Sequence, residues 1–221
     1  MVDTAPTDDL TATPAPPVRR GTPSWVAAVA CALALAVGIS IGILIPILRA
    51  PGDTSAEAGF ARAMSTHHAQ AVAMAMRAYA GSADADVTTV ALDIALSQQG
   101  QIGMMQAWLR QWNLSPTSRE PAMAWMDRTD MNHAGGGTPP AGSMPGMATR
   151  EELDALNQAT GAELDRLFCE LMIRHHQGGI SMVDAVLAAD PEPEVRVLAQ
   201  SMRNTQQADI NALRDILTRL G

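Results

Sequence analysis

Histidine and methionine recur together in this sequence at a spacing that suits metal binding. Four of its five histidines occupy two M-x-x-H-H elements, one at residues 64–68 and the other at residues 172–176. On an α-helix, residues three and four apart lie on one face, so each methionine lies beside both histidines of its element. The same face continues to Met74 in the first element and to Met182 in the second.

The residue types narrow the choice of metal. Di-iron bundles place a glutamate three residues before a histidine, whereas here Met64 and Met172 take that position. Thioether sulfur is a soft ligand that suits Cu(I), and imidazole suits copper generally. The pattern therefore predicts copper, with these candidate ligands from the two elements: Met64, His67, His68, Met74, Met172, His175, His176 and Met182.

Two further residues join the candidate ligands. Cys169 lies three residues before Met172 on the same helical stripe, and its counterpart in the first element is Ala61, so a thiolate contribution is confined to the second element. His133 lies in a connecting segment, residues 114–148, that is rich in Met, Gly and Pro. Its methionines lack the periodicity of a helical core, which makes packing a weak explanation for them and leaves a flexible metal-capturing segment as an alternative: Met123, Met126, Met131, Met144 and Met147.

A purely structural interpretation stays open for all of these residues. A methionine stripe at helical spacing is ordinarily core packing, and paired histidines can simply form hydrogen bonds across a bundle. The same interpretation assigns Gln98, Gln99, Gln206 and Gln207 to interhelical hydrogen bonds or to the surface, and Trp108, Trp112 and Trp125 to packing.

The two elements belong to an internal duplication. Shifting the chain by 108 residues aligns 57–113 with 165–221 without a gap. Rare residue types match in register, which favours duplication over chance: Phe60 with Phe168, Met64 with Met172, His67-His68 with His175-His176, Met74 with Met182, Val87 with Val195, Gln98-Gln99 with Gln206-Gln207, and Ile102 with Ile210.

Each half predicts two helices. The first half gives 54–80 and 86–112, and the second gives 149–189 and 191–220, where Asp190 and Pro191 are typical of an N-cap and a first helical residue. Thr149 and Glu152 have the spacing of a capping box, and Gly161 is a possible kink or break. We expect an all-α, ferritin-like four-helix bundle made of two duplicated helical hairpins, preceded by one transmembrane helix.

Within that bundle, we expect the two histidine elements to converge. Small residues at 71 and 179 would let their helices pack closely across a pseudo-two-fold axis. The connecting segment, about 114–148, is too long for an ordinary loop in a compact domain and is predicted to be functional or disordered.

The N-terminal region predicts a membrane anchor. Residues 1–23 have the composition of a disordered tail, and residues 24–49 are apolar over a length that exceeds a bilayer's hydrocarbon thickness of about 30 Å. Arg19 and Arg20 precede the apolar run from Trp25 to Leu48 and only Arg49 follows it, which favours a cytoplasmic N-terminus. We expect a single-pass cell-membrane protein with residues 52–221 outside and with Cys31 in the span, so Cys169 has no intramolecular disulfide partner.

Charge and composition exclude one class of partner. The net charge of −8 falls on the exported part, which carries 20 of the 23 acidic residues, and the chain has no lysine. We therefore expect no nucleic-acid binding. Low aromatic content, at 3%, with abundant alanine and methionine favours helices.

At these residues the sequence resembles the DUF305 family, ferritin-like bacterial proteins with duplicated M-x-x-HH helices. The resemblance covers about 57–221 and rests on F-A-R-A-M-S-T-H-H at 60–68, Q-Q-G-Q-I at 98–102, F-C-E-L-M-I-R-H-H-Q-G-G at 168–179 and Q-Q-A-D-I at 206–210. It implies export and, from some members, copper binding and tolerance. An acidic residue usually precedes the isoleucine after the glutamines. Asp209 keeps this residue and Gln101 does not, so we expect the first half to have lost a helix contact or an outer carboxylate.

Three functions compete at this point. A copper-binding or copper-buffering protein is favoured, and a structural or protein-interaction module without metal is the alternative. A metal-dependent enzyme is the third possibility, although the sequence offers neither a nucleophile-base pair nor a Glu-x-x-His motif. A homo-oligomer and a metal-transfer partner both remain open.

Overall fold

The computed structural model describes residues 23–126 and 144–221, apart from the side chains of residues 45–49. The described residues form six α-helices and no strand, so the predicted all-α class is confirmed. Most of the predicted N-terminal tail, together with Met131 and His133, lies outside the described residues. The helices are α1 (Ser24–Arg49), α2 (Ala56–Gly81), α3 (Ala85–Gln111), α4 (Arg150–Gln158), α5 (Gly161–Ala188) and α6 (Pro193–Leu220).

Helix α1 belongs to one unit, and Ala50–Gly221 forms a second compact unit. Within α1, the stretch Ser24–Leu44 is long and apolar enough to cross a membrane, by length and composition. A signal sequence near an N-terminus meets the same criteria.

The second unit is a four-helix bundle built from two hairpins. Helix α2 packs mainly on α3, and α5 packs mainly on α6, while α2 also packs against α5 and α3 against α6. The start of each helix in the first hairpin is stabilised by a side chain: the Ser55 hydroxyl accepts from the Ala58 amide, and Asp84 accepts from the amides of Asp86 and Val87. The two hairpins match the two halves of the sequence repeat.

The predicted 149–189 helix is two helices. The capping box of Thr149 and Glu152 is confirmed at the start of α4. The helix is interrupted before Gly161, which takes a left-handed φ of 57°. Arg77 of α2 donates to the carbonyls at the end of α4, including that of Ala159 at 2.6 Å. Favourable interaction of a cation with a helix C-terminus thereby ties this short helix to the bundle.

The predicted start of the last helix was wrong by two residues. Asp190 follows the end of α5 in a left-handed conformation, with a φ of 54°, and Pro191 lies before the helix. Helix α6 instead begins at Pro193, with Glu192 as its N-cap. Proline does occupy the first helical position, as expected, but it is the second proline of the P-E-P sequence, Pro193, rather than the first.

Two clusters of buried side chains fill the bundle. The methionine-rich cluster contains Met64, Met105, Met123, Met126, Met182 and Met202, packed with Phe60, Trp108 and Trp112. The Cys169 cluster contains Met74, Met172, Cys169 and Phe168, packed with Leu156 and Ala159 from the region of α4. Burying a side chain of this size contributes about 1.5–3 kcal/mol.

Packing explains more of the connecting segment than the sequence suggested. Met123 and Met126 are buried in the methionine-rich cluster, although the segment has no helical periodicity. The tryptophans pack as predicted: Trp108 stacks on Trp112 with ring centroids 6.1 Å apart, and Trp125 meets Phe60 edge-on at 5.9 Å. The expectation that packing is a weak explanation was therefore wrong for these two methionines.

Candidate metal centre

The four histidines of the two elements lie inside the bundle, with 0–1% of each residue exposed. His67 of α2 and His175 of α5 meet across the bundle with ring centroids 3.7 Å apart and planes 36° from parallel. Within each element the adjacent rings are farther apart, at 6.4 Å for His67 and His68 and 6.3 Å for His175 and His176. The two halves therefore contribute one histidine each to a shared pair.

The second histidine of each element bonds to the second helix of its own hairpin. His68 Nε2 lies 2.7 Å from the Gln101 amide oxygen on α3, and His176 Nε2 lies 3.0 Å from a carboxylate oxygen of Asp209 on α6. Gln101 and Asp209 occupy equivalent positions in the repeat. Of the two losses expected at Gln101, the structure shows that of the carboxylate: the amide oxygen keeps the contact with His68, and only the charge is lost.

In three of the rings, an oxygen acceptor shows that Nε2 carries a proton. The backbone carbonyl of Pro145 lies 3.0 Å from His67 Nε2, and a carbonyl can only accept a hydrogen bond. Nε2 of His67 therefore carries the proton, and the same holds for His176 against Asp209 and for His68 against the Gln101 oxygen. Burial lowers the pKa of His67 and His68, so both are neutral at pH 7, and since a neutral imidazole has one N–H, these two rings keep an unprotonated Nδ1.

Those Nδ1 atoms are buried without a hydrogen-bond partner among the described residues, and so are both ring nitrogens of His175. Leaving a buried polar atom unpaired costs about 1–3 kcal/mol. A histidine that binds metal through one nitrogen usually donates its other N–H to a carbonyl or carboxylate, which sets the tautomer. His67, His68 and His176 have this arrangement of acceptors.

Burial also keeps these rings neutral. Desolvation lowers the pKa of His67 to about 4 and that of His68 to about 3, and it lowers the pKa of His175 well below its ordinary value. The neighbouring histidines lower the pKa of His68 and His175 further, because like charges repel. At neutral pH the three rings are therefore in the form that a metal ion requires.

The methionines of the two elements do not come together as expected. Met64 belongs to the methionine-rich cluster with Met182, whereas Met172 belongs to the Cys169 cluster with Met74. All four side chains are fully or almost fully buried. Each cluster therefore contains one methionine from each half of the repeat, and Met64 and Met172 lie in different clusters.

Cys169 is buried in a setting that keeps its thiol protonated. Burial, with a smaller contribution from the charge of Asp165, raises the pKa of Cys169 to about 12. Because the thiolate is the form that binds metal, Cys169 contributes little at neutral pH as the site stands. His133, the remaining candidate ligand, lies outside the described residues.

In the part of the chain that the structure describes, no three His, Cys, Asp or Glu side chains form a group that could hold a metal ion. Methionine is not among those residue types. The donors present are four buried imidazoles, with methionines in both buried clusters, and Asp209 is the only carboxylate hydrogen-bonded to a histidine in the described residues. This set fits a soft ion such as Cu(I) and does not fit the oxygen-rich coordination of calcium, manganese or di-iron sites.

The surface role predicted for the glutamines fits two of the four, and Gly179 differs from its predicted role. Gln98 and Gln206 are buried with their side-chain oxygens unpartnered among the described residues, whereas Gln99 and Gln207 are exposed. Gly179 was expected to let α2 and α5 approach, but a Cβ there would lie 2.4 Å from the Gln206 side chain of α6. Sequence reasoning missed Pro145, since a backbone carbonyl leaves no side-chain signal.

The family of the chain follows from its sequence match and its structural relatives. The model of the DUF305 family, "Domain of unknown function", matches residues 57–217, and the chain belongs to that family. A DUF305 protein of Streptomyces coelicolor, described as secreted, is 35% identical with a TM-score of 0.68, over 77% of this chain and 96% of that one. A DUF305 fragment from Deinococcus radiodurans is 31% identical with a TM-score of 0.59, over 74% and 96%.

A further solved structure is of a copper-bound relative. CopM in its Cu(II)-bound form is 26% identical to this chain with a TM-score of 0.58, over 76% of this chain and 98% of CopM. No curated protein matches the chain.

Proposed function

We propose that this protein binds copper at the buried histidine centre and holds it on the outer side of a membrane to which α1 anchors the chain. The observation that carries this proposal is the set of buried, unpartnered Nδ1 atoms in rings whose Nε2 already faces an oxygen acceptor. A structural hydrogen-bonding role would pair those nitrogens within the bundle, whereas each of them lacks a partner among the described residues. A metal ion would satisfy them.

The neighbouring side chains favour copper over other metals. His67 and His175 supply imidazole from both halves, and each histidine element begins with a buried methionine, Met64 or Met172, three residues before its first histidine. The likeness to CopM in its Cu(II)-bound form supports the same metal at 26% identity. Imidazole with thioether suits both oxidation states of copper, with sulfur favouring Cu(I). Buffering or storage fits a buried site of this kind better than turnover, which needs an open coordination position.

Metal retention by the full chain tests this proposal. The protein is purified in detergent, treated with chelator, exposed separately to Cu(I), Zn(II), Fe(II) and Mn(II), and desalted before metal analysis. We expect stoichiometric copper and far weaker retention of iron and manganese. The control is the His67→Ala/His175→Ala variant, which should lose copper while its helical circular dichroism remains. Iron held in preference to copper would contradict the copper selectivity, and no metal held at all would favour the metal-free scaffold.

Topology is tested independently of metal. Protease added to intact spheroplasts should remove Ala50–Gly221 and leave α1 protected, because one apolar helix follows Arg19 and Arg20. Lysed spheroplasts provide the control for protease accessibility. A mature N-terminus near residue 51, or survival of the bundle in intact spheroplasts, would contradict the anchored arrangement.

A further inference from the structure

The five residues Met144–Ala148 lie against the histidine centre, although they belong to neither half of the repeat. Pro145 supplies the carbonyl oxygen that lies 3.0 Å from His67 Nε2. Three residues later, Ala148 exchanges two hydrogen bonds with the Gln70 side chain, at 3.0 Å through its carbonyl and 2.7 Å through its amide. The Met144–Ala148 segment is therefore bound to α2 at two points.

Two glycines allow this segment to approach α5. A Cβ on Gly178 would lie 2.2 Å from the Pro145 carbonyl oxygen, a distance that side chains do not adopt. A Cβ on Gly146 would lie 2.5 Å from the Arg174 carbonyl oxygen, and Gly146 also has a φ of 74°. Both obstacles are backbone atoms, which cannot turn away as a flexible side chain could. The contact between Pro145 and His67 therefore depends on glycine at these two positions.

The segment makes the two central histidines unequal. His67 has a fixed acceptor for Nε2, whereas neither ring nitrogen of His175 has a partner among the described residues. Because Met144–Ala148 falls between the repeated stretches 57–113 and 165–221, the duplication supplies no second copy of it. Only the first half gains this contact.

We infer that Pro145 is a positioning residue of the copper site: its carbonyl holds His67 in the Nε2–H tautomer and leaves Nδ1 of that ring for the metal, while no such acceptor selects a tautomer of His175. This inference rests on the proposed function for its use of copper. The tautomer itself belongs to the copper-free protein and can be measured without metal. Loss of an outer partner of a ligating histidine typically lowers metal affinity by about 10–100-fold.

Two substitutions displace the segment in different ways. Gly178→Ala pushes away the Pro145 carbonyl, and Gln70→Ala releases Ala148 by removing a half-buried side chain on α2. Their matched controls are Gly100→Ala, where a Cβ meets nothing within 4 Å, and Gln99→Ala, an exposed glutamine on α3. Circular dichroism identifies a variant that has failed to fold. If Gly178→Ala does not fold, Gln70→Ala still tests the inference.

The decisive readout is the ring ¹⁵N spectrum of the full, copper-free chain labelled on histidine. In the wild type, we expect one Nε2–H tautomer for His67 and exchange between both tautomers for His175. In Gly178→Ala and Gln70→Ala, His67 should also exchange, and copper affinity should fall about 10–100-fold, while both controls match the wild type.

The outcomes separate this inference from the proposed function. A folded variant in which the segment is displaced and His67 still shows one Nε2–H tautomer would overturn the positioning role, whatever its copper affinity. Unchanged copper affinity in variants whose His67 tautomer has become mixed would overturn it as well. A wild-type protein that retains no copper but shows the expected tautomers would instead defeat the copper proposal and leave the fixed His67 ring established.

Discussion

The two hairpins share one backbone plan and differ in what holds their histidines. In both, the second histidine bonds across its own hairpin, to Gln101 in the first and to Asp209 in the second. The first histidine has an acceptor only in the first hairpin, where Pro145 reaches His67. Duplication therefore preserved the ring positions, while the residues that control their protonation diverged. The ring positions match, but the acceptors and the charge beside the rings differ between the two sides.

The largest expected effect tests whether the halves form one site. Because His67 and His175 stack at 3.7 Å, His67→Ala/His68→Ala and His175→Ala/His176→Ala should each weaken copper binding by more than the roughly 100-fold that an outer partner can cost. The quadruple variant should be no worse, since ligands that act as a unit are not additive. Copper titration of all three variants measures this. Half the stoichiometry at unchanged affinity in each double variant would show two independent sites.

The charge difference between Gln101 and Asp209 should appear in the pH dependence of stability. His67 and His68 have folded pKa values of about 4 and about 3, below the unfolded value of 6.5, so the unfolded chain binds more protons between these values. Stability is then full above pH 6.5 and is lost as pH falls. Between pH 7 and 5, the free energy of unfolding of the copper-free protein should drop by roughly 2 kcal/mol for each of these histidines.

Replacing Gln101 by aspartate should make the first hairpin behave like the second. A carboxylate beside His68 favours the imidazolium, so it raises the folded pKa of that ring and shrinks the loss of stability on acidification. Denaturant unfolding at pH 7 and 5, with chelator present, compares Gln101→Asp with the wild type. Gln99→Asp adds the same charge at an exposed position and serves as the control. An equal drop in all three proteins would show that the Gln101 contact does not govern His68.

The two clusters can be compared through their methionines. Met64→Leu/Met182→Leu and Met74→Leu/Met172→Leu each remove two sulfurs from one cluster at nearly constant volume, a change that usually costs under about 1.5 kcal/mol of stability. The pair that supplies a thioether should lose about tenfold, or 1.4 kcal/mol, in Cu(I) affinity. Cu(II) affinity should change less, because sulfur prefers Cu(I). Unchanged Cu(I) affinity in both pairs would leave these methionines as packing alone.

The smallest effect is expected at the position where the halves differ as cysteine and alanine. Cys169→Ala copies Ala61, and because burial holds the Cys169 pKa at about 12, removing the thiol should leave copper affinity at pH 7 unchanged. Stability should fall by about 1 kcal/mol through lost packing. Competition titration with a copper chelator and denaturant unfolding give the two values. A clear loss of affinity would show that the metal itself deprotonates Cys169.

The sequence predicted those parts of the molecule that depend on side-chain type and period. Repeated apolar spacing and the capping box gave the four long helices and the start of α4, and the repeat gave the meeting of His67 with His175. It could not give the Pro145 contact, because that bond uses a backbone carbonyl. The only available signs were Gly146 and Gly178. The need for glycine at these positions becomes visible only in the structure, where a Cβ at either would collide with backbone atoms.

The remaining errors also have physical causes. The start of α6 was misplaced because two prolines, Pro191 and Pro193, suit a first helical position equally well in sequence. Met123 and Met126 pack without periodicity because a connecting segment can follow any path across a core. The separation of Met64 from Met172 follows from antiparallel packing, in which residues before one histidine lie near residues after the other.

Complete burial of the four rings has a consequence for time as well as for affinity. With 0–1% of each histidine exposed, neither an incoming ion nor a competing chelator can reach the rings in the closed bundle. Exchange must wait for a local opening of the helices or of the Met144–Ala148 segment, and such openings take microseconds to seconds. On the proposed function, copper release would then proceed at a rate set by the protein and independent of chelator concentration, which suits long retention rather than rapid hand-over.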